Sequence, residues 1–464
     1  MHGPGPSGFS VLGDECMASA AEQLAANLNW SSFSKATELK KRIWFTLGAL
    51  IVYRLGTYIP VPGVDPSILA DIFQQNAGGV LGMFDMFAGG ALSRMTIFAL
   101  NIMPYISASI IIQLMTTVSP ALEQYKKEGE QGRKKINQYT RYLTLLIATI
   151  QAWGIAVGLE SMSGSSGAAV HEPGMFFRLI AVVTLVGGTM FLMWLGEQVT
   201  QRGIGNGISL IIFTGIVANL PRAIAGTLEL GRTGALSALV IVAIIVMAVG
   251  VIAFIVFMER AQRRVLIQYP KRQVGMKVME GQSSHLPLKI NTAGVIPPIF
   301  ASSLLLMPLS VAQFTAGADA PAWLTTVTAV LGRGQPLYIA LYIALIVFFA
   351  FFYTAVVFNP DDTADNLKKH GGFIPGIRPG KNTAAHLDFI LTRLTVLGAA
   401  YLAFVCILPE LLIAEWSVPF YFGGTSLLIV VTVTMDTVAQ VQSHMLAHQY
   451  EGLIKKSKLR GRRR

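Results

Sequence analysis

The stretch from Leu236 to Met258 reads LSALVIVAIIVMAVGVIAFIVFM and contains no charged residue. A helix needs about 20 mostly apolar residues to cross the hydrocarbon core of a bilayer, and this stretch is long enough. The composition of the whole chain agrees with it, because 53% of the 464 residues are hydrophobic and only 13% are charged. These values exclude an ordinary soluble protein and indicate an integral membrane protein.

Nine further apolar runs lie on either side of this stretch. They are found near residues 43–60, 95–118, 139–159, 175–195, 206–221, 291–312, 336–358, 389–409 and 418–437. The sequence therefore predicts an all-α membrane protein with about ten transmembrane helices. An even number of spans places both termini on the same side of the membrane.

The lysines and arginines indicate which side that is. Of the 36, 29 lie in segments on the side of the N-terminus, whereas the opposite loops hold three, Arg222, Arg232 and Arg333. The other four, Arg54, Arg94, Arg178 and Arg393, lie within or at the edges of apolar runs. Because short loops rich in lysine and arginine stay in the cytoplasm, both termini are predicted to be cytoplasmic, in a bacterial-type membrane.

Two loops on the predicted cytoplasmic side, 259–290 and 359–388, are longer than a simple connection requires. Loops of this length often have a function of their own. The first contains Lys271, Arg272 and Lys277, and the second contains Arg378. We interpret them as a docking surface for an acidic or RNA-containing partner, and retained positive-inside charge is the alternative.

One apolar segment is too short to span the membrane. Residues 79–90 read GVLGMFDMFAGG, bracketed by glycines and containing Asp85. A half-helix at membrane depth is tolerated only where protein or a water-filled cavity surrounds it. The segment therefore predicts either a half-helix in a cavity or an interfacial loop at the outer surface.

The sequence offers no convincing catalytic or cofactor-binding motif. Gly203-Ile-Gly205-Asn-Gly207 lacks the strand and the downstream acid of a dinucleotide site, and the helical pair His444 and His448 lacks the glutamate of a zinc protease. The two cysteines, Cys16 and Cys406, are far apart in the sequence and suggest no disulfide or metal cluster. We predict no enzyme activity, cofactor or metal. A small-solute transporter and an intramembrane enzyme are the rival classes, and few charges within the spans argue against a proton-coupled carrier.

Several ordered blocks of sequence resemble one known family. The longest is FAGGALSRMTIFALNIMPYISASIIIQ at residues 87–113. The others are KKEGE at 126–130, RGIGNGIS at 202–209, HLPLK at 285–289, AGVIP at 293–297, TADNLKK at 363–369, PGIRPG at 375–380 and PFYFGGTS at 419–426. In this order they resemble the SecY family, the channel subunits of the bacterial general secretory translocase, and the resemblance runs from about residue 35 to the tail.

The resemblance implies two pseudo-symmetric halves of five helices around a central pore, which is closed by a plug and opens sideways toward lipid. It divides the chain into a polar leader at 1–34, an N-terminal half at 35–222 with a plug at about 79–94, span six and its loop at 223–290, spans seven to ten at 291–437, and a basic tail at 438–464. The implied function is transport of unfolded secretory proteins across the bacterial inner membrane and lateral release of membrane-protein segments.

The resemblance also implies site residues. The pore ring falls on Ile102, Ile106, Ile208, Ile212, Ile299 and Ile429, and the plug contains Met83, Phe84, Asp85, Met86 and Phe87. The lateral gate contains Ser107, Gln113 and Asn291, and an interhelical hydrogen bond involving the two amides is a candidate for holding it shut. Partner docking falls on Lys271, Arg272, Lys277 and Arg378. Met276-Lys277 departs from relatives that carry two consecutive arginines, which weakens the expected contacts of that loop.

The implied partners are the SecE and SecG subunits, the SecA ATPase motor or a translating ribosome, and precursor polypeptides that carry signal sequences. SecDF and YidC are further candidates, and the lipid bilayer is the remaining implied contact.

Overall fold

The computed structural model describes residues 37–75, 85, 88–161, 163–164, 167–233, 237–270, 272–274, 277–279, 283–315, 335–416 and 424–461. Helices account for most of them. The helices are α1 (Thr37–Gly56), α2 (Pro66–Gln75), α3 (Met103–Val118), α4 (Pro120–Lys127), α5 (Glu130–Ser161), α6 (Met175–Arg202), α7 (Gly207–Arg232), α8 (Ala238–Arg260), α9 (Ile296–Thr315), α10 (Pro336–Val357), α11 (Pro360–Lys369), α12 (Lys381–Trp416) and α13 (Gly424–Gly461). The strands are β1 (Ser163–Gly164), β2 (Gly167–Ala168), β3 (Gln262–Gln268), β4 (Arg272–Val274), β5 (Lys277–Met279) and β6 (Ser283–Lys289).

The long helices lie where the sequence predicts membrane spans. Helices α1, α3, α5 to α10, α12 and α13 each overlap one of the ten apolar runs. Within the described residues, seven helices are long and apolar enough to cross a membrane, or eight if α3 and α4, bent by 104° at their junction, are taken as one span. Helix α8 is the most apolar of them, and most of its side chains face outward, as lipid contact requires.

The run near 95–118 differs from its prediction, because only the part from Met103 onward is helical. Residues 89–102 form consecutive turns, in which Met95 and Asn101 have positive φ angles of 45° and 50°. Apolar composition alone does not distinguish a buried turn from a helix, and these turns are buried. Two helices are much longer than their apolar runs, because polar residues extend α5 toward Glu130 and α13 toward Gly461. Helix α9 begins at Ile296, five residues after the start of its run.

The helices form two groups along the chain. Helix α6 packs on α1, α5 and α7, and α3 packs on α5, within the N-terminal group. In the C-terminal group, α10 packs between α9 and α12, and α13 packs against α8 and α12. The groups meet along two seams, one where α9 contacts α3 and α5 and one where α7 contacts α13. A single apolar core with residues from both groups fills the space between the seams.

At one end of the bundle, the two long basic loops fold together. Strands β3 and β6 form an antiparallel hairpin, and β4 pairs with β5 nearer its tip. Gln268 of the hairpin exchanges backbone hydrogen bonds of 2.9 and 3.0 Å with Phe373 of the second loop. Val265 and Leu288 of the hairpin share an apolar cluster with Ile374 and with side chains of α12. We call this unit, which consists of the described residues of 262–289 together with 371–380, the platform.

At the opposite end, the turns of residues 88–102 are packed into a second apolar cluster. Leu92 and Met95 lie there against side chains of α5 and α6. Backbone pairing also anchors the turns, because Val61 N–H donates to Met95 O at 2.8 Å and Ile97 N–H donates to Ile59 O at 3.0 Å. We call residues 88–102 the turn segment.

Candidate functional site

The six isoleucines of the predicted ring come from four helices in both groups. Ile102 and Ile106 lie at the start of α3, Ile208 and Ile212 in α7, Ile299 in α9 and Ile429 in α13. Ile102, Ile106, Ile212 and Ile429 are buried, with at most 6% of each residue exposed. Ile208 and Ile299 are partly buried and pack against the same core. The central core between the two seams therefore contains all six.

Five of the six surround one small cavity. Ile102, Ile106, Ile212, Ile299 and Ile429 line it, together with Asn101, Met103, Ser302 and Ser303. A water-sized sphere can move its centre through only about 10 Å³ of this cavity, so there is room for about one water molecule. At this level the described residues of the two groups of helices approach one another closely, and the space between them is small.

Ile208 is the exception. It does not line the cavity, although it is one helical turn from Ile212. Its Cγ1 lies close to Gly196 of α6, where an added Cβ would be 3.1 Å away. Helix α7 begins directly before it, since the Asn206 side chain accepts a hydrogen bond from Ile208 N–H at 3.1 Å. Ile208 therefore lies in the first turn, packed toward α6, while Ile212 reaches the cavity.

The start of α3 is set by a local signal. Asn101 has a left-handed backbone, Pro104 occupies the first turn, and Ile106 N–H donates to Ile102 O at 3.1 Å. Proline fits the first turn because its missing N–H has no helical partner there. The chain thus changes from turns to helix at Ile102. The first ring residue therefore lies at the N-terminal end of α3.

The predicted gate residues Gln113 and Asn291 do not bond each other, which corrects the suggested hydrogen bond between their helices. Gln113 Nε2 donates to Ser109 Oγ in its own helix at 3.4 Å. Asn291, in the turn before α9, donates from Nδ2 to Glu259 Oε1 at 2.6 Å and to Gly294 O at 3.1 Å. The hydrogen bonds of each amide therefore stay within its own half of the molecule, and Oε1 of Gln113 is buried without a partner among the described residues. Ser107, the third predicted gate residue, is buried in α3.

Glu259 is a functional candidate that the sequence did not single out. It lies near the end of α8 and is only 7% exposed, and its carboxylate accepts from Asn291 at the entrance to α9. A buried carboxylate costs free energy unless it is hydrogen-bonded. The sequence contained one signal for this residue, because Glu259 directly follows a long apolar run and precedes Arg260.

Of the predicted plug residues, Asp85 lies in the described part of the chain, and Met83, Phe84, Met86 and Phe87 lie outside it. Asp85 closes a turn, because its carboxylate accepts from Ser93 N–H at 2.8 Å and its carbonyl accepts from Gly90 N–H at 2.9 Å. The half-helix predicted for residues 79–90 does not extend to its C-terminal end, because residues 89 and 90 form a turn and a bend.

Two arginines that the sequence left without obvious roles contact this region. Arg54 Nη1 donates to Gly89 O at 3.1 Å, and Arg94 Nε donates to Gly90 O at 3.0 Å. Both guanidinium groups also face the ring of Tyr58, at 5.5 Å for Arg54 and 4.3 Å for Arg94.

Three of the four predicted docking residues lie in the described part of the platform. Arg378 is exposed in the turn before α12, and its carbonyl accepts from Thr383 Oγ1 at 3.0 Å. Arg272 begins β4 and Lys277 begins β5 near the tip of the hairpin, and Lys271 lies outside the described residues. Within the described part of the chain, no group of three or more histidine, cysteine, aspartate or glutamate side chains could hold a metal ion.

Comparison with known proteins agrees with this architecture. A family model described as SecY matches residues 96–438. The chain is 57% identical over 434 residues to a protein translocase subunit SecY of Vibrio cholerae, covering 93% of this chain and 97% of that one. A solved structure of a protein-conducting channel matches with a TM-score of 0.63 at 18% identity, covering 88% of this chain and 92% of that one. A second solved structure matches with a TM-score of 0.59 at 18% identity and with the same coverage. It is a SecY protein whose plug domain is described as stabilising the closed state of the translocation channel.

Proposed function

The chain belongs to the SecY family, and from this premise we propose that it forms the protein-conducting channel of a bacterial translocase. The observation that carries the proposal is the constriction, where isoleucines from four helices of both halves surround a space for about one water. The family consists of channel subunits rather than enzymes, and no step of this function requires a cofactor.

The constriction suits a pore that must stay closed to ions and open for a polypeptide. Bulky aliphatic side chains offer no ligand to an ion, and a narrow apolar passage excludes water. A ring built from separate helices can widen when the helices move apart, because the side chains are joined only by packing. We assign Ile102, Ile106, Ile212, Ile299 and Ile429 to this ring, and Ile208 to its margin.

The seam between α9 and the pair α3 and α5 suits lateral release. The seam joins the two halves through noncovalent contacts, so it can separate without breaking a helix. An apolar segment within the pore would gain contact with lipid when α9 moves away from α3. We assign Ser107 and Gln113 of α3 and Asn291, in the turn before α9, to the border of this gate, which apolar packing rather than a bond between the two amides holds shut.

The platform suits the cytoplasmic side of the inner membrane. Its strands and turns carry Arg263, Arg264, Arg272 and Arg378, and basic loops are retained in the cytoplasm. The turn segment then faces the periplasm. Both termini lie on the platform side if all ten helices cross the membrane.

The platform also suits partner docking. Its exposed arginine at 378 stands at a rigid turn, and cationic surfaces attract acidic or RNA-containing partners. We propose the SecA ATPase and the translating ribosome as alternative drivers, SecE and SecG as membrane subunits, and SecDF and YidC as further associates. Lys271, Arg272 and Lys277 form the second part of this docking surface.

Reconstitution tests the proposed function. The chain, combined with SecE- and SecG-type subunits and SecA in proteoliposomes, should protect a secretory precursor from external protease in an ATP-dependent manner. Arg378→Glu should abolish most of this protection by weakening SecA binding, while the complex still assembles. Lys381→Glu, a charge reversal at the start of α12, is the matched control. Uptake of small solutes without precursor protection would favour a transporter instead.

A further inference from the structure

Three successive backbone carbonyls in the turn segment each accept a hydrogen bond from a side chain. Ala88 O accepts from Tyr53 Oη at 3.4 Å, Gly89 O from Arg54 Nη1 at 3.1 Å, and Gly90 O from Arg94 Nε at 3.0 Å. Two of these donors are neighbours at the end of α1. Ala88 O also accepts from Ala91 N–H at 3.4 Å and Gly90 O from Ser93 Oγ at 3.2 Å, so the guanidinium groups add to donors from within the turn.

The turn is also held sterically. Gly89 and Gly90 have positive φ angles of 67° and 83°. A Cβ added at Gly89 would lie 2.9 Å from the Cα of Gly215 in α7, and one added at Gly90 would lie 2.6 Å from Nη2 of Arg94. The backbone therefore fits closely between α7 and the two guanidinium groups, in a conformation that favours glycine.

Tyr58 joins the two arginines. Its hydroxyl accepts from Arg54 Nη2 at 3.3 Å, and its ring lies under both guanidinium groups. Within the described residues, neither arginine forms an ion pair with a carboxylate. Both arginines bond to carbonyls and face an aromatic ring, and the carboxylate of Asp85 interacts with the charge of Arg94 without forming an ion pair with it. Carbonyls and aromatic rings release a cation more easily than a hydrogen-bonded carboxylate does.

We propose that Arg54 and Arg94, held by Tyr58, form a clamp that fixes the turn at residues 88–90 to α1 and α7 and thereby keeps the channel closed at its outer side. The clamp rests on the proposed function, because the turn directly follows the segment assigned to the plug. Arg54 and Arg94 are positioning residues in this role. The clamp opens when Gly89 O and Gly90 O lose their guanidinium donors, and no covalent bond changes.

Single-channel conductance in planar bilayers tests the clamp, with SecE- and SecG-type subunits present. The double variant Arg54→Gln, Arg94→Gln should raise the resting open probability by about tenfold or more, which is the factor that loss of one hydrogen bond to a charged group supplies. Each single variant should give a smaller rise. Tyr58→Phe, which keeps the ring, should stay closer to the unaltered protein than Tyr58→Leu.

The matched control is Arg178→Gln. Arg178 also lies at this end of the bundle, but it forms an ion pair of 2.6 Å with Glu160, away from residues 88–90. This variant should keep the resting conductance of the unaltered protein. Arg54→Lys and Arg94→Lys keep the charge and should recover part of the seal, which a general loss of folding would not show.

Deletion of residues 80–90 separates the two proposals. If the deletion conducts ions while the double arginine variant stays sealed, the clamp is wrong and the channel function stands. If the deletion also stays sealed, residues 80–90 do not close the channel and the clamp is wrong, while precursor protection in proteoliposomes tests the channel function separately. A double variant with reduced yield but unchanged conductance per complex also counts against the clamp.

Discussion

The seam between α3 and α9 is built differently at its centre and at its platform end. At the centre, Ile102 and Ile106 face Ile299 across a space that holds about one water. At the platform end, Asn291 bonds Glu259 and Gln113 bonds Ser109, so neither amide reaches the other half. The contrast teaches that apolar packing, rather than a polar bond between the predicted gate residues, joins the halves along this seam.

Polar substitution at the centre should have the largest effect. Ile429 is 1% exposed and lines the cavity. Because burial of such a side chain contributes about 1.5 to 3 kcal/mol, Ile429→Asn should raise the open population by about tenfold to a hundredfold. Export of precursors with defective signal sequences, measured in cells, should increase accordingly.

The control for this substitution is Ile245→Asn in α8, where the isoleucine is 57% exposed toward lipid. Its cost should fall on membrane insertion and leave signal-sequence selectivity unchanged. Equal export phenotypes for the two variants would show that the constriction is misplaced.

At the platform end, Asn291→Leu should destabilise the folded complex without opening the pore. The substitution leaves the buried carboxylate of Glu259 without its amide donor, at a cost of about 1 to 3 kcal/mol. The melting temperature in detergent should fall. In the double variant Asn291→Leu, Glu259→Leu, part of the loss should be recovered, because the unpaired carboxylate is gone. Equal losses in the single and double variants would contradict the pairing.

Ile208, at the margin of the ring, should give a smaller effect and tests where the pore axis lies. It packs toward Gly196 rather than the cavity. Ile208→Asn should therefore relax signal-sequence selectivity by no more than about threefold, and Ile212→Asn by about tenfold. The two residues share a helix and a residue type, so their ratio reports the position of the pore axis. A ratio of one would place both residues in the ring.

The smallest effect is expected at Gln113. Its Nε2 has only a 3.4 Å contact within its own helix, and its Oε1 is buried without a hydrogen-bond partner. Gln113→Leu should leave the export level unchanged. The free energy of unfolding of the variant should lie within about 0.5 kcal/mol of that of the unaltered protein, or slightly above it. A strong change in gating would show that this amide bonds across the seam in the membrane.

The sequence predicts the helical bundle well, because the length and apolarity of a span are local properties. Helix α8 and its neighbours lie where the apolar runs predict them. The i, i+4 spacing of Ile102 and Ile106 also corresponds to a shared helix face, and both line the cavity. The choice of these particular isoleucines came from the family resemblance, since spacing alone fits many other pairs.

The parts that sequence could not predict depend on contacts between distant segments. The pairing of Gln268 with Phe373 joins two loops that are about a hundred residues apart. The hydrogen bonds of Arg54 and Arg94 follow from the path of the turn segment, in which apolar residues resemble a helix by composition. The hydrogen bond between Asn291 and Glu259 could not be predicted either, because the two residues meet only when the hairpin brings the end of α8 and the start of α9 together.

The platform has a mechanical consequence. Strand β3 follows α8 after one residue, β6 leads into α9, and the turn that carries Arg378 leads into α12. Backbone hydrogen bonds and one apolar cluster join these segments into a single stiff body. A force applied at Arg378 is therefore transmitted to three helices, α8, α9 and α12, at the same time. A partner that pushes on this exposed turn would tilt these three helices together. The noncovalent seam along α9 is where they would then separate from the N-terminal group.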